Sequence, residues 1–174
     1  MKIANQGFTL IETMITVAIM AIVATLAFPV LTSGLTNNNV KNAALQLLDE
    51  FSMARAQAAR SDAIVEISVS PGTNWCYGID HDKGNGSTCN CSATPSNCDK
   101  VVSYNEFSDV TLVNGLDSGN TKIWFTPNRG RLDSSKATSG QVDFKRSGTT
   151  VSVKINVLGK GSTCSPDIGG IGAC

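Results

Sequence analysis

The stretch GFTLIETMITVAIMAIVATLAFP, residues 7–29, decides the architecture of this 174-residue chain. From residue 8 to residue 35 the sequence runs for 28 positions with Glu12 as its only charged side chain. About 20 apolar residues in a helix span a bilayer, and residues 9–31 supply 23. A carboxylate inside such a segment is costly, so Glu12 is predicted to have a functional partner. The stretch therefore predicts one membrane helix.

The short leader before this stretch contains Lys2 and ends at Gly7. A secretory signal peptide has its cleavage site after the apolar region, which is then discarded. Here the order is reversed, so cleavage between Gly7 and Phe8 would leave the helix on the mature chain. Lys2 predicts a cytoplasmic N-terminus by the positive-inside rule. The remainder of the chain is then expected outside the cytoplasm.

Residues 7–29 resemble the N-termini of type IV pilins and type II secretion pseudopilins. Both have a basic leader ending in Gly, then Phe, then Glu four positions later, and an apolar helix. The resemblance implies that prepilin peptidase cuts between Gly7 and Phe8 and methylates the new Phe8 amine. It also implies that Glu12 pairs with the terminal ammonium of a neighbouring subunit in a filament. In low dielectric such a pair is strongly favoured over either charge alone.

The helix is predicted to continue beyond the membrane segment with two irregularities. Pro29 removes a backbone donor, so the helix should kink or locally melt near residues 27–28. A polar hinge is predicted at residues 36–39. Apolar side chains then recur at steps of three and four, which predicts an amphipathic helix over residues 40–61 packed on a sheet. The stripe comprises Val40, Ala44, Leu47, Leu48, Phe51, Ala54 and Ala58.

A β domain is predicted over residues 64–174, because the apolar period changes to two at Ile64. Ser147-Gly148 is expected to supply the turn between the last two strands. A helix followed by six or seven antiparallel strands is an α+β fold. The clearest alternation lies at residues 64–70, 123–125, 142–144 and 151–157, and weaker strands are expected at residues 75–79, 100–103 and 110–113.

The helix end and the following strands are similar to the GspH/FimT family of minor pilins and pseudopilins. The similarity rests on Ala54, Arg55 and the run Arg60-Ser61-Asp62-Ala63, followed by WCYGI and IWFTPNRGRL. It implies the type IV pilin fold, with a leader at residues 1–7, a transmembrane and assembly helix at residues 8–35 and a soluble pilin head at residues 36–174.

The resemblance also implies a role. The chain is expected to be a minor type IV pilin, a non-enzymatic subunit that helps to initiate pilus assembly at the tip. Its expected locations are the inner membrane, with the pilin head in the periplasm, and the extracellular pilus or pseudopilus. The expected partners are major and minor pilins, prepilin peptidase and the inner-membrane assembly platform. Glu12 and Pro29 are the expected assembly residues.

Six cysteines in so short a chain indicate an oxidising compartment. Cys89 and Cys91 are too close for an easy mutual bond, and we expect them to pair with Cys76 and Cys98 in an order that the sequence leaves open. The other predicted bond, which joins Cys164 to Cys174, would close the Gly-rich C-terminus and contribute about 3 kcal/mol.

No metal, cofactor or catalytic site is predicted. The spacing of the first four cysteines does not fit the paired C-x₂-C pattern of zinc sites. The run DHDKGNG, residues 80–86, alternates acids as a calcium loop does, but Cys91 stands where such a loop needs glutamate. His81 is the only histidine, so no Ser/His/Asp or Cys/His arrangement has a second supporting feature.

Charge is unevenly distributed along the chain, which suggests an alternative function. Residues 62–117 carry a net charge of −6, and residues 122–160 carry +6. A basic patch could bind DNA phosphates without reading sequence, so a DNA-binding minor pilin acting in DNA uptake is one alternative. The candidate residues are Arg129, Arg131, Lys145, Arg146, Lys154 and Lys160.

Two further observations bear on these alternatives. DNA-binding members of the resembled family carry Gly-Arg-x-Arg after the last strand. The corresponding Gly159-Lys160-Gly161-Ser162 keeps the first charge and loses the second. A minor pseudopilin of type II secretion is the other alternative, and nothing in the sequence separates it from a pilus subunit.

Overall fold

The computed structural model describes residues 9–81, 88–107, 109–116, 120–127 and 129–174, with side chains undescribed at residues 26–36. The predicted processing residues Gly7 and Phe8 lie outside these ranges, as does most of the DHDKGNG run. The chain divides into two compact units, Met1–Thr36 and Asn37–Cys174.

One long helix, α1, extends over Leu10–Ser61. Its first turn is capped by Thr9, whose hydroxyl accepts a hydrogen bond from the Glu12 backbone N–H at 3.3 Å. The helix ends at Ser61 because Asp62 adopts a left-handed conformation with φ of 53°. The prediction that the amphipathic helix ends at Ser61 is confirmed.

The backbone of α1 is helical through residues 27–29 and residues 36–39. The predicted local melting near Pro29 and the predicted polar hinge are therefore wrong, whereas a kink at Pro29 stays a prediction. A proline removes only one backbone hydrogen bond, and the flanking turns keep theirs. Asparagine lowers helix propensity by less than about 0.7 kcal/mol per residue, which the buried stripe that follows outweighs.

The stripe on the second half of α1 contributes to the core of the Asn37–Cys174 unit. Leu48 of the predicted stripe is only partly buried, and Ala43, which was not predicted, is fully buried. The remaining members, Val40, Ala44, Leu47, Phe51, Ala54 and Ala58, are all buried as predicted.

The strands form two antiparallel four-stranded sheets within the described residues, where one sheet was predicted. One sheet has the order β3-β2-β1-β5 and the other β4-β6-β7-β8. All seven predicted strands are confirmed; β8 was missed because GSTC lacks an apolar alternation. The bounds are β1 Val65–Ser70, β2 Cys76–His81, β3 Lys100–Ser103, β4 Thr111–Leu112, β5 Lys122–Phe125, β6 Gly140–Arg146, β7 Thr149–Ile155 and β8 Gly161–Cys164, with a 3₁₀ turn at Tyr104–Glu106.

The β6–β7 hairpin has the predicted turn. Ser147 and Gly148 both have positive φ, 47° and 88°, as a two-residue hairpin turn requires. Arg146 pairs with Thr149 across it. Val157, predicted to extend β7, lies beyond the strand and is 38% exposed.

Aromatic side chains fill the centre of the core. Trp75 is fully buried, and its indole N–H donates to the Val110 carbonyl at 2.7 Å. Its ring meets that of Phe144 edge to face, with centroids 5.4 Å apart. The ring of Tyr77 stacks on that of Trp75, with centroids 6.2 Å apart. Helix and sheets therefore share one apolar cluster.

Three disulfides are present, and they fix the order that the sequence left open. The Cys89–Cys98 bond packs directly on β2, where a side chain at Gly78 would lie 2.6 Å from the Cys89 sulfur. Glycine is therefore required in the middle of this strand. The bonds join Cys76 to Cys91, Cys89 to Cys98 and Cys164 to Cys174.

The buried carboxylate of Glu66 fastens the disulfide-bonded loop, which contains Cys89, Cys91 and Cys98, to its sheet. Glu66 on β1 lies at a polar position of the alternating pattern, yet it is only 6% exposed. It accepts hydrogen bonds from the Cys89 backbone N–H at 3.1 Å, the Lys122 ammonium at 2.8 Å and the Trp124 indole at 2.9 Å. Cys89 and its neighbours in residues 88–98 cover Glu66, so the apolar alternation did not reveal that Glu66 is enclosed.

Candidate functional site

The first candidate site is the apolar segment, defined here as residues 9–25 of the N-terminal unit. Every side chain in it is exposed. Leu10 is 77% exposed, Val17 65% and Met20 70%, although all three are apolar. Contiguous exposed apolar surface on this scale marks a protein or membrane interaction site. No helix within the described residues reaches the length and apolarity that a bilayer crossing requires.

Polar groups in the apolar segment are mostly satisfied by the helix itself. The hydroxyls of Thr13, Thr16 and Thr25 each donate to a backbone carbonyl three residues earlier, at 2.8–2.9 Å. Such internal bonds allow a helix to enter an apolar environment without unsatisfied hydroxyls. Glu12 differs, because its exposed carboxylate forms no ion pair with any other described residue. It is the one charge in this surface that needs an outside partner.

The second candidate site lies where two turns close on the end of α1. Gly130, with φ of 56°, and Gly159, with φ of 70°, pack against Arg55. A side chain at Gly130 would collide with the Arg55 backbone, and one at Gly159 would lie 3.3 Å from Arg55 Cδ. The Leu132 backbone N–H donates to the Val157 carbonyl at 3.2 Å and joins the two turns. Glycine is needed at both positions for this close approach.

The turn that carries Lys160 is organised by Asn156. The Asn156 side-chain oxygen accepts hydrogen bonds from the backbone N–H groups of Leu158 at 3.0 Å and Lys160 at 3.1 Å. An asparagine that bonds to the backbone following it stabilises a tight turn. The position of Lys160 is thereby fixed relative to β7.

Three basic side chains meet at this junction, and we call them the basic pocket: Arg55, Arg129 and Lys160. They line a concave space of about 470 Å³. None of the three forms an ion pair with a described residue. The other lining residues are Ser52, Ala56, Ala59, Gly159 and Gly161.

The charge pattern along the sequence groups Arg129 and Lys160 in one candidate surface but not Arg55. Arg55 was noted only for its similarity to the family's helix end. It lies 74 positions before Arg129, so a charge count along the chain could not group the two. Only the packing of the turns on α1 brings them together.

The remaining predicted DNA-binding residues are distributed over other surfaces. Lys145 and Arg146 lie at the turn end of the β6–β7 hairpin, and Arg146 forms an ion pair with Asp109 at 3.1 Å. Lys154 lines a groove of about 950 Å³ that it shares with Lys160. Arg131 is exposed in the loop after Gly130. Part of the predicted basic surface is therefore neutralised or lies away from the basic pocket.

Several acids, three of them within residues 62–117, form ion pairs inside the Asn37–Cys174 unit. The Lys100 ammonium donates to Glu50, and His81 contacts Asp99 at 2.7 Å. Glu66 and Asp109 have the partners described above. The uneven charge along the sequence is thus partly cancelled by contacts across the fold, and the basic pocket keeps its charge.

Tyr77 does not add ionisable chemistry to either site. Burial raises the pKa of its hydroxyl, and the carboxylates of Glu50 and Glu106 raise it further. The hydroxyl therefore stays protonated at neutral pH. It is buried and has no hydrogen-bond partner among the described residues. Those residues also contain no group of three or more His, Cys, Asp or Glu side chains arranged to hold a metal ion.

A helix whose second half packs on antiparallel sheets is the α+β arrangement of the type IV pilin fold. The family described as type II transport protein GspH matches residues 43–161. The prokaryotic N-terminal methylation motif matches residues 3–28. This chain belongs to the GspH family and carries the prokaryotic N-terminal methylation motif.

Solved structures show the same fold. A crystal structure of the Pseudomonas aeruginosa type IV minor pilin FimU in space group P21 matches with a TM-score of 0.55 and 17% identity, covering 75% of this chain and 95% of that chain. A second crystal form of FimU, P65, gives a TM-score of 0.51 at 17% identity, with 73% and 97% covered. None of the curated protein sequences is a significant match.

Proposed function

We propose that this chain is a minor type IV pilin that helps to initiate filament assembly at the pilus tip. The exposed apolar segment with its single carboxylate carries this proposal. Side chains such as Leu10 and Met20 must be covered by lipid before assembly and by helices of other subunits in the filament. A non-enzymatic structural role also agrees with membership of the GspH family.

The proposed life cycle has two stages. The helix over residues 8–35 first holds the protein in the inner membrane as a single span, with the pilin head in the periplasm. Prepilin peptidase cuts between Gly7 and Phe8 and methylates the Phe8 amine, as the N-terminal methylation motif suggests. The assembly platform then transfers the subunit to a filament of major and minor pilins, where Glu12 pairs with a neighbour's terminal ammonium.

A minor rather than a major subunit is proposed because of the unit that follows the anchor. Its three disulfides and two sheets make a head suited to a low-copy position. FimU, which has the same fold, is a type IV minor pilin. A minor pseudopilin of a type II secretion system is the near alternative, because the family description refers to type II transport.

The experiment compares Glu12→Ala and Glu12→Gln with the control Thr16→Val in a deletion strain. Thr16 lies in the same exposed segment, but its hydroxyl is satisfied inside the helix. Both Glu12 variants should be processed normally yet enter sheared filaments at least about tenfold less, because one charge of a buried pair stays unmatched. Thr16→Val should enter as the wild type does.

Mass spectrometry of the sheared filaments completes the test. The wild-type chain should begin with methylated Phe8. A mature chain that begins beyond residue 35, or Glu12 variants that are incorporated normally, would contradict the proposal. Wild-type piliation in the deletion strain together with a secretion defect would favour the pseudopilin alternative.

DNA capture has weaker support than assembly. Arg146 is already paired with Asp109, and the basic residues do not all share one surface. A gel-shift titration with duplex DNA at two salt concentrations tests it, because phosphate binding weakens steeply as salt rises. Salt-sensitive retardation at low salt would support the DNA-binding alternative, and unshifted DNA would remove it.

A further inference from the structure

We propose that the basic pocket receives an acidic side chain of a neighbouring filament subunit. This inference rests on the proposed role as a filament subunit and assigns a docking contact to it. The three cations come from three parts of the chain: Arg55 from α1, Arg129 from the loop after β5 and Lys160 from the turn before β8.

The fold positions two of the three cations, Arg55 and Lys160. The stem of Arg55 is held between the backbones at Gly130 and Gly159, and Asn156 fixes the turn that carries Lys160. A guanidinium binds a carboxylate through two parallel N–H donors, and a side chain already held in place loses less entropy on binding. Two arginines and a lysine around one concave space therefore form a site suited to an oxyanion such as a carboxylate.

Four acids of the Asn37–Cys174 unit are already engaged away from the basic pocket, which favours an anion from outside the unit. Glu50, Glu66, Asp99 and Asp109 all have basic partners elsewhere in the fold. Within the described part of the chain, no acid pairs with the basic pocket. Clustered like charges repel one another, so a complementary charge from a partner would be stabilising.

The shape of the pocket favours a protein side chain over duplex DNA. The space of about 470 Å³ is concave and has the methyl groups of Ala56 and Ala59 in its wall, which suit the aliphatic stem of Asp or Glu. Duplex DNA presents a row of phosphates and needs cations arranged along an outer surface. Lys145 and Arg146, the cations that would extend such a row, lie instead at the hairpin turn.

The test uses full-length Arg129→Gln, Lys160→Gln and the double variant, with Lys145→Gln as the matched control. All three positions are exposed, so the folds should be preserved, which equal thermal unfolding temperatures would verify. The double variant should enter sheared filaments about tenfold less than the wild type, since charged hydrogen bonds are lost. Lys145→Gln should enter normally.

Carbodiimide cross-linking of wild-type filaments gives a second, direct readout. It joins an amine to a carboxylate in contact, so peptide mapping should identify Lys160 bonded to an Asp or Glu of another subunit. Normal incorporation of the double variant, or filaments without a Lys160 cross-link to another subunit, would overturn the docking contact alone. A wild-type chain missing from the filaments would overturn the filament role and this contact together. The pocket variants could instead enter filaments normally and lose the retardation of duplex DNA that the wild type and Lys145→Gln show. That result would overturn the docking contact in favour of nucleic-acid binding.

Discussion

The two ends of helix α1 are both rich in apolar side chains, but they differ in what covers them. In the apolar segment, residues 9–25, every side chain is exposed, whereas Leu47 and Phe51 in the second half are fully buried. The second half has its apolar residues on one face and polar residues on the others, and its own sheets cover that face. The first half is apolar on all sides. Among the described residues, the chain therefore covers the apolar face of the second half but not the side chains of residues 9–25.

The largest expected effect comes from exchanging one apolar side chain in each half for alanine. Phe51→Ala should lower the free energy of unfolding by about 3–5 kcal/mol, because it leaves a cavity in the core. Ile15→Ala, at a side chain that is 52% exposed, should change it by less than about 0.5 kcal/mol. Chemical denaturation of the detergent-solubilised protein measures both. Equal effects would remove the contrast between the two halves.

A smaller effect is expected from comparing the two carboxylates. Glu66 is buried with three hydrogen-bond donors, whereas Glu12 is exposed. Glu66→Gln should cost about 2 kcal/mol of unfolding free energy, because the Lys122 ammonium loses its counter-charge. Glu12→Gln should leave the unfolding free energy unchanged. If Glu66→Gln were as stable as the wild type, the carboxylate would not fasten the disulfide-bonded loop.

The smallest effect concerns an exposed turn, where neither burial nor an outside partner contributes. The Ser135 hydroxyl donates to Asp133 at 2.6 Å and lowers the pKa of that carboxyl. When a carboxyl has a lower pKa in the folded than in the unfolded state, it stabilises the fold at pH values above the unfolded-state pKa. That stabilisation is lost as the pH falls through the folded-state pKa. Ser135→Ala should therefore raise the pKa of Asp133. It should lower the free energy of unfolding slightly at neutral pH and leave it unchanged in strong acid.

Carboxyl chemical shifts followed by NMR titration measure that pKa directly. Ser134→Ala, at the neighbouring exposed serine, is the control and should leave the Asp133 titration where it is in the wild type. An unchanged Asp133 titration in Ser135→Ala would show that the hydroxyl does not hold the pKa down.

Much of the fold was predictable because it depends on local periodicity. The stripe from Val40 to Ala58 and the alternation in β6 and β7 each report one buried face, and Ser147-Gly148 has the conformational freedom that its turn demands. The continuity of α1 through Pro29 was not predictable, because a local backbone defect competes with the cooperativity of a long helix. The β8 strand was missed because its four residues carry no apolar pattern.

The spacing of neighbouring residues was enough to predict the apolar segment with its single acid, the amphipathic continuation of the helix and an antiparallel β domain. The disulfide order and the enclosure of Glu66 depend on tertiary packing. So does the pocket that Arg55, Arg129 and Lys160 line together. These contacts join positions that lie far apart along the chain. The packing of helix, sheets and loops determines which of these distant pairs come into contact. A local sequence pattern does not predict that packing.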